Sequence, residues 1–130
     1  MIYGVGVDLV EIARVRAGYA RFGAHFARRI LMPEELAGFE QSRNPVRFLA
    51  TRFAAKEAIV KALGTGFHHG VWLRDVGHVP DAWGKPCVIF SPRGRTLCER
   101  LGTGLAFVSL SDEAGLVLAF AVILKKVATG

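Results

Sequence analysis

Between Pro45 and Leu63 the apolar positions fall on two flanks of a helix, not one. Steps of about 100° per residue put Phe48, Ala55, Ile59 and Ala62 on the first flank and Val46, Leu49, Phe53 and Val60 on the second. A helix apolar on two flanks packs on two sides, so this one is predicted to run through the middle of the domain. Its ends are written as well. Asn44 is a good N-cap, Pro45 suits the first helical position, and Gly64 can take the left-handed conformation that stops a helix. Between the flanks one strip carries Arg52 and Lys56, and the opposite strip carries Ala50, Ala54, Glu57 and Lys61. The alanines let a ligand or another backbone come close. Glu57 and Lys61 have the i,i+4 spacing of a surface ion pair, worth a few tenths of a kcal/mol. On a largely buried helix that opens into Gly64-Thr65-Gly66, they also read as a polar site.

Elsewhere the periodicity changes. Ile2 to Asp8 alternates as a strand, with Tyr3, Val5 and Val7 on one face and Gly4, Gly6 and Asp8 on the other. Two glycines clear the Asp8 face for a close neighbour. Asp8 and Glu11 also have capping-box spacing ahead of a helix predicted from about Leu9 to Ala17, so Asp8 is readable as a cap or as a ligand group. Turn signals at Gly18 and Gly23 precede a short helix over 25–30, and Pro33, Glu34 and Glu35 open another, to about Phe39 or Gln41. From Trp72 the pattern is β: Trp72 to Val79, a turn at Trp83-Gly84-Lys85, and Pro86 to Phe90 predict a hairpin. Ser91-Pro92 caps a helix to about Leu101, and Leu105–Leu110 with Leu116–Leu124 predict a final antiparallel pair. The class is α+β, an antiparallel β-sheet packed around one long central α-helix.

With 130 residues the chain is expected to be one domain, residues 1–130. Its longest apolar run, Leu116 to Leu124, is too short to span a bilayer, and no signal-peptide pattern opens the chain. Cys87 and Cys98 have no metal-ligand spacing and make no disulfide framework, which suits a reducing, cytoplasmic setting. The net charge of +6 points to an acidic partner or to nucleic acid. Nucleic-acid binding predicts aromatic residues interleaved with Lys and Arg on exposed strands, or a recognition helix. Neither pattern is present. Instead Arg14, Arg16, Arg21, Arg28 and Arg29 lie between Ile12 and Pro33 with no acid among them, a segment suited to an acidic partner.

VGVD at 5–8 followed by RFAAKEAIVKALGTG at 52–66 resembles the two-part signature of the 4′-phosphopantetheinyl transferases in their short form, the holo-[acyl-carrier-protein] synthases. The likeness continues through Gly84-Lys85-Pro86, VSLSDE at 108–113 and AVIL at 121–124, essentially the whole chain. The resemblance implies transfer of the 4′-phosphopantetheine arm of coenzyme A to a serine of an apo acyl carrier protein, releasing adenosine 3′,5′-bisphosphate. It also implies the corresponding fold, and carriers of fatty-acid or polyketide type.

By the same resemblance, Asp8 and Glu57 match the family's magnesium-binding acids, and Mg2+ suits them as a hard cation taking one or two carboxylates plus phosphate oxygens. Lys61 matches the motif lysine, as a clamp on the pyrophosphate or a proton donor to the leaving group. Glu57 is the protein candidate for deprotonating the serine. Arg47, Arg52 and Pro86 are expected at coenzyme A, with the backbone of Gly64 and Gly66 meeting the ligand. Helical phase points Arg52 away from Glu57, an awkward geometry for one pocket that the family's homotrimers, with active sites between chains, would resolve. Arg14, Arg21 and Arg28 would dock the carrier. Phe107 stands where the family commonly has His, and Met32 where a hydroxyl N-cap is usual before Pro33.

Overall fold

The computed structural model describes residues 1–128. Strand β1 (Ile2–Glu11) leads into helices α1 (Ile12–Phe22), α2 (Ala24–Ile30), α3 (Pro33–Gln41) and α4 (Pro45–Leu63). A hairpin of β2 (Val76–Pro80) and β3 (Pro86–Phe90), helix α5 (Pro92–Leu101), and strands β4 (Thr103–Glu113) and β5 (Leu116–Lys125) complete the order. The larger sheet has strand order β1-β5-β4, antiparallel throughout, with Val7 opposite Phe120 and Ser109 opposite Phe120 on the other side.

Helix α4 starts and stops as predicted. Asn44 Oδ1 accepts from Arg47 N at 3.1 Å, and Gly64 closes the helix at φ 82°. Leu49, Ala54, Ala58, Ile59 and Ala62 are fully or almost fully buried, so the helix is packed on both flanks. One side lies against the larger sheet. There a Cβ on Gly4 would sit 2.1 Å from Ala62 O, and one on Gly6 would sit 2.0 Å from Ala58 O. The two glycines are thus what lets β1 lie on the helix backbone, and Asp8 shares their face.

Three expectations need correction. Strand β1 continues to Glu11, because Leu9 pairs with Leu118 and Glu11 with Leu116. Helix α1 therefore begins only at Ile12, and Glu11 makes no side-chain capping bond. The Asp8/Glu11 capping box does not form. Gly18 lies inside α1 and is no turn; the Phe26 ring fills the space its side chain would take, 2.1 Å from an added Cβ. The β pattern from Trp72 opens with a 3-10 turn, Leu73–Asp75, before β2. At Met32 the missing hydroxyl cap matters little, since Glu35 Oε1 accepts from Met32 N at 2.9 Å.

Candidate active site

Asp8, in β1, and Glu57 and Lys61, on α4, meet where the glycine-cleared strand crosses the helix. Lys61 Nζ donates to Asp8 Oδ1 at 3.0 Å and to Val7 O at 3.1 Å. The ion pair of Lys61 is thus with the strand, and the i,i+4 partner Glu57 contributes through its nearby charge. Glu57 is half-buried and its carboxyl is pushed above the usual range, by desolvation first and by the Asp8 charge second, with Lys61 opposing. Two carboxylates forced together, one partly desolvated, supply only oxygen donors. That donor chemistry fits a hard divalent cation that completes its shell with water and phosphate oxygens. Arg14 lines the same cleft of about 400 Å³, beside Asp8 and Glu57.

Arg47, Arg52 and Pro86 line a second, larger cleft of about 950 Å³, together with His78, Lys85 and Asp112. The two clefts share no lining residue. The helical phase of Arg52 and Glu57 is therefore realised as two separate places on one chain. Arg47 donates through Nε to Asp112 Oδ2 and is otherwise exposed. Arg52 lines the cleft while its Nε donates to His78 O at 3.1 Å and lies 3.2 Å from Glu35 Oε2, and its guanidinium covers the Phe48 ring at 4.1 Å.

The turn at Gly64 and Gly66 behaves differently from expectation. Gly64 N donates to Lys61 O at 3.0 Å, and Thr65 N and Gly66 N both donate to Val60 O at 3.2 Å. All three amides close the helix, so they are not turned toward a ligand. The glycines instead set the left-handed exit below Lys61.

Arg21 and Arg28 are exposed on α1 and α2, Arg21 lying over the Phe22 ring at 5.2 Å. Phe107 is exposed on the outer face of β4, while its neighbour Val108 lines the larger cleft. The substituted position therefore does not border the cleft in its own chain. Val5, Val7, Leu9, Leu118 and Phe120 share that outer face and are about half-exposed.

Sequence reasoning missed a buried charge cluster behind the larger cleft. Lys56 Nζ donates to Glu35 Oε1 and to Val76 O, both at 2.6 Å, and neither side chain touches solvent. Burial lowers the pKa of Lys56 and the Glu35 charge opposes that shift. His78 N also donates to Glu35 Oε2, at 3.3 Å. The His78 imidazole is buried with no partner at either ring nitrogen among the described residues, and its pKa is pushed down to about 3 by burial and by the Arg52 and Lys56 charges. A signal was available: a lysine on a helix buried on two sides requires an acid from another element.

The model of the 4′-phosphopantetheinyl transferase superfamily matches residues 4–121. The chain is 48% identical to a holo-[acyl-carrier-protein] synthase of Thiobacillus denitrificans, over 95% of this chain and 94% of that protein. It is similar to the crystal structure of the holo-[acyl-carrier-protein] synthase of Neisseria meningitidis, at a TM-score of 0.91 and 46% identity over 96% of this chain and all of that one. A Bacillus anthracis holo-(acyl-carrier-protein) synthase structure, in complex with CoA (3′,5′-ADP), aligns at a TM-score of 0.78 and 30% identity, covering 98% of this chain and 99% of that one. A glycine-cleared strand aspartate set against a helix glutamate and lysine thus sits in a chain matched along nearly its whole length, and this chain belongs to the 4′-phosphopantetheinyl transferase superfamily.

Proposed function

We propose that this protein transfers the 4′-phosphopantetheine arm of coenzyme A to a serine hydroxyl of an apo acyl carrier protein, releasing adenosine 3′,5′-bisphosphate. The observation that carries the chemistry is the meeting of Asp8, Glu57 and Lys61 at one crossing of strand and helix. Asp8 and Glu57 would hold Mg2+, and the cation would supply positive charge against the pyrophosphate. Within the protein, Glu57, which lines the cleft with Asp8, is the group that would accept the serine proton. The serine oxygen bonds to the phosphorus of the pantetheine phosphate, and the bond from that phosphorus to the bridging oxygen breaks. Lys61 offers its ammonium to the departing bisphosphate, as charge or as proton.

Arg47, Arg52 and Pro86 bind coenzyme A in the larger cleft, with Lys85 beside them. The family resemblance implies a homotrimer with active sites between chains, and the separation of that cleft from the Asp8 cleft, with which it shares no lining residue, supports that arrangement. The apolar outer face of the sheet supports such an assembly, since Val5, Val7, Leu9 and Phe120 lack cover in the single chain. Arg14, beside Asp8, and Arg21 and Arg28 on the helices receive the acidic carrier. Residues 1–130 act as one transferase domain, in the cytoplasm, where Cys87 and Cys98 persist as free thiols.

The test is the intact mass of an apo acyl carrier protein after incubation with the protein, coenzyme A and magnesium, with and without chelator. A gain of one phosphopantetheine only with free magnesium is expected. No gain with several carriers and no coenzyme A binding would overturn the reading.

A further inference from the structure

The hairpin joining β2 and β3 carries an indole that the fold does not use. Trp83 is 95% exposed, so an apolar surface of roughly 150–250 Å² that aromatic residues ordinarily bury is left in water. Its backbone is nevertheless held. Asp81 Oδ1 accepts from Trp83 N at 2.8 Å and from Lys85 N at 2.9 Å. Asp81 N donates to Lys85 O at 2.9 Å, Gly84 N donates to Asp81 O at 3.0 Å, and Gly84 turns the chain at φ 84°. The next three residues, Gly84, Lys85 and Pro86, line the cleft that Arg47 and Arg52 also line.

Guanidinium and ammonium groups recognise phosphates, but a coenzyme with its phosphates on them still has an aromatic base to place. Within the cleft the aromatic side chains are Phe48, whose ring the Arg52 guanidinium already covers at 4.1 Å, and His78, which is buried. An exposed indole whose backbone is held one residue before the cleft lining offers a free π-face, which stacks on a base without needing its hydrogen-bonding edge. Resting on the assignment of this cleft to coenzyme A, we propose that Trp83 is the stacking platform for the adenine base, a specificity-determining residue that favours coenzyme A over ligands without the base.

The experiment compares binding of coenzyme A, adenosine 3′,5′-bisphosphate and 4′-phosphopantetheine by calorimetry to the wild-type protein, Trp83→Ala and Trp83→Phe. Trp83→Ala is expected to weaken the two adenine ligands roughly 5- to 150-fold, the range that loss of one base–aromatic stack represents. It should leave 4′-phosphopantetheine within about twofold, and Trp83→Phe should recover most of the loss. In a Trp72→Phe background, adenosine 3′,5′-bisphosphate should quench the fluorescence of the remaining indole. Wild-type affinity for coenzyme A in Trp83→Ala, equal weakening of 4′-phosphopantetheine, or a changed sedimentation coefficient overturns the proposal alone. A wild-type protein that binds neither adenine ligand overturns the cleft assignment and the proposal with it.

Discussion

Replacing Glu35 by Gln removes the one carboxylate that faces both Lys56 and Arg52, while keeping the shape of the side chain. Lys56 Nζ is 2.6 Å from one oxygen of Glu35 and Arg52 Nε is 3.2 Å from the other, with Glu35 and Lys56 sealed from water. At an effective dielectric of about 20, each contact is worth roughly 5–6 kcal/mol of attraction, which the cost of burying the ions largely offsets. The substitution keeps that burial cost for the two cations and deletes the attraction. Breaking such a buried arrangement costs about 3–5 kcal/mol, against a typical total stability of about 5–15 kcal/mol. The assay is urea unfolding followed by circular dichroism and by the fluorescence of Trp72 and Trp83, at one protein concentration so that any assembly contributes equally to each variant. The double variant Glu35→Leu with Lys56→Met removes the two ions sealed from water, leaving Arg52, and should recover part of the loss seen in Glu35→Leu alone, so the effects of Glu35→Leu and Lys56→Met should not add. A loss below about 1 kcal/mol in Glu35→Gln, or strict additivity in the double variant, would refute the argument.

Gly6→Ala would place a Cβ 2.0 Å from Ala58 O and 2.7 Å from Ala62 N, both backbone atoms; the melting temperature should fall by an amount matching about 1–3 kcal/mol or more, and an unchanged melt would mean β1 does not rest on α4. The folded His78 imidazole, buried among Glu35, Arg52 and Lys56, has a pKa near 3, below its unfolded value near 6.5. The folded state therefore binds fewer protons in that window, so stability is full above about pH 6.5 and falls toward pH 3, by about 2 kcal/mol at pH 5. In His78→Leu that slope should flatten in denaturant melts at several pH values; a persisting slope would assign it elsewhere. Lys61→Met should lower turnover about 10²- to 10³-fold while leaving the melting temperature nearly unchanged, because Lys61 is half-exposed; normal turnover would remove Lys61 from the chemistry. Arg21→Glu with Arg28→Glu should raise the KM for the carrier at low salt, with the difference shrinking at high salt; a salt-independent effect would contradict electrostatic docking.

Local codes carried much of this protein. Asn44, Pro45 and Gly64 determined α4 to the residue, since capping depends on neighbouring backbone geometry alone. The alternation of Val5 and Val7 with Gly4, Gly6 and Asp8 assigned the faces of β1 correctly, because strand phase is a matter of sequence order. The same order put Glu57 and Lys61 on one strip and Arg52 on another, and Glu57 and Arg52 line separate clefts.

What only the tertiary structure decided concerns partners distant in sequence. Pairing with β5 carries β1 to Glu11, so a local capping signal at Asp8 loses to sheet hydrogen bonds formed with residues more than a hundred positions away. Lys61 pairs with Asp8 across the strand–helix crossing, while Glu57 stays nearby and desolvated. Glu35 reads locally as a helix-start acid, yet packing of α3 against β2 and α4 sets it between two buried cations. Periodicity assigns a residue to a face; which charge waits on the other side of that face depends on how the elements pack, and local spacing carries no record of it.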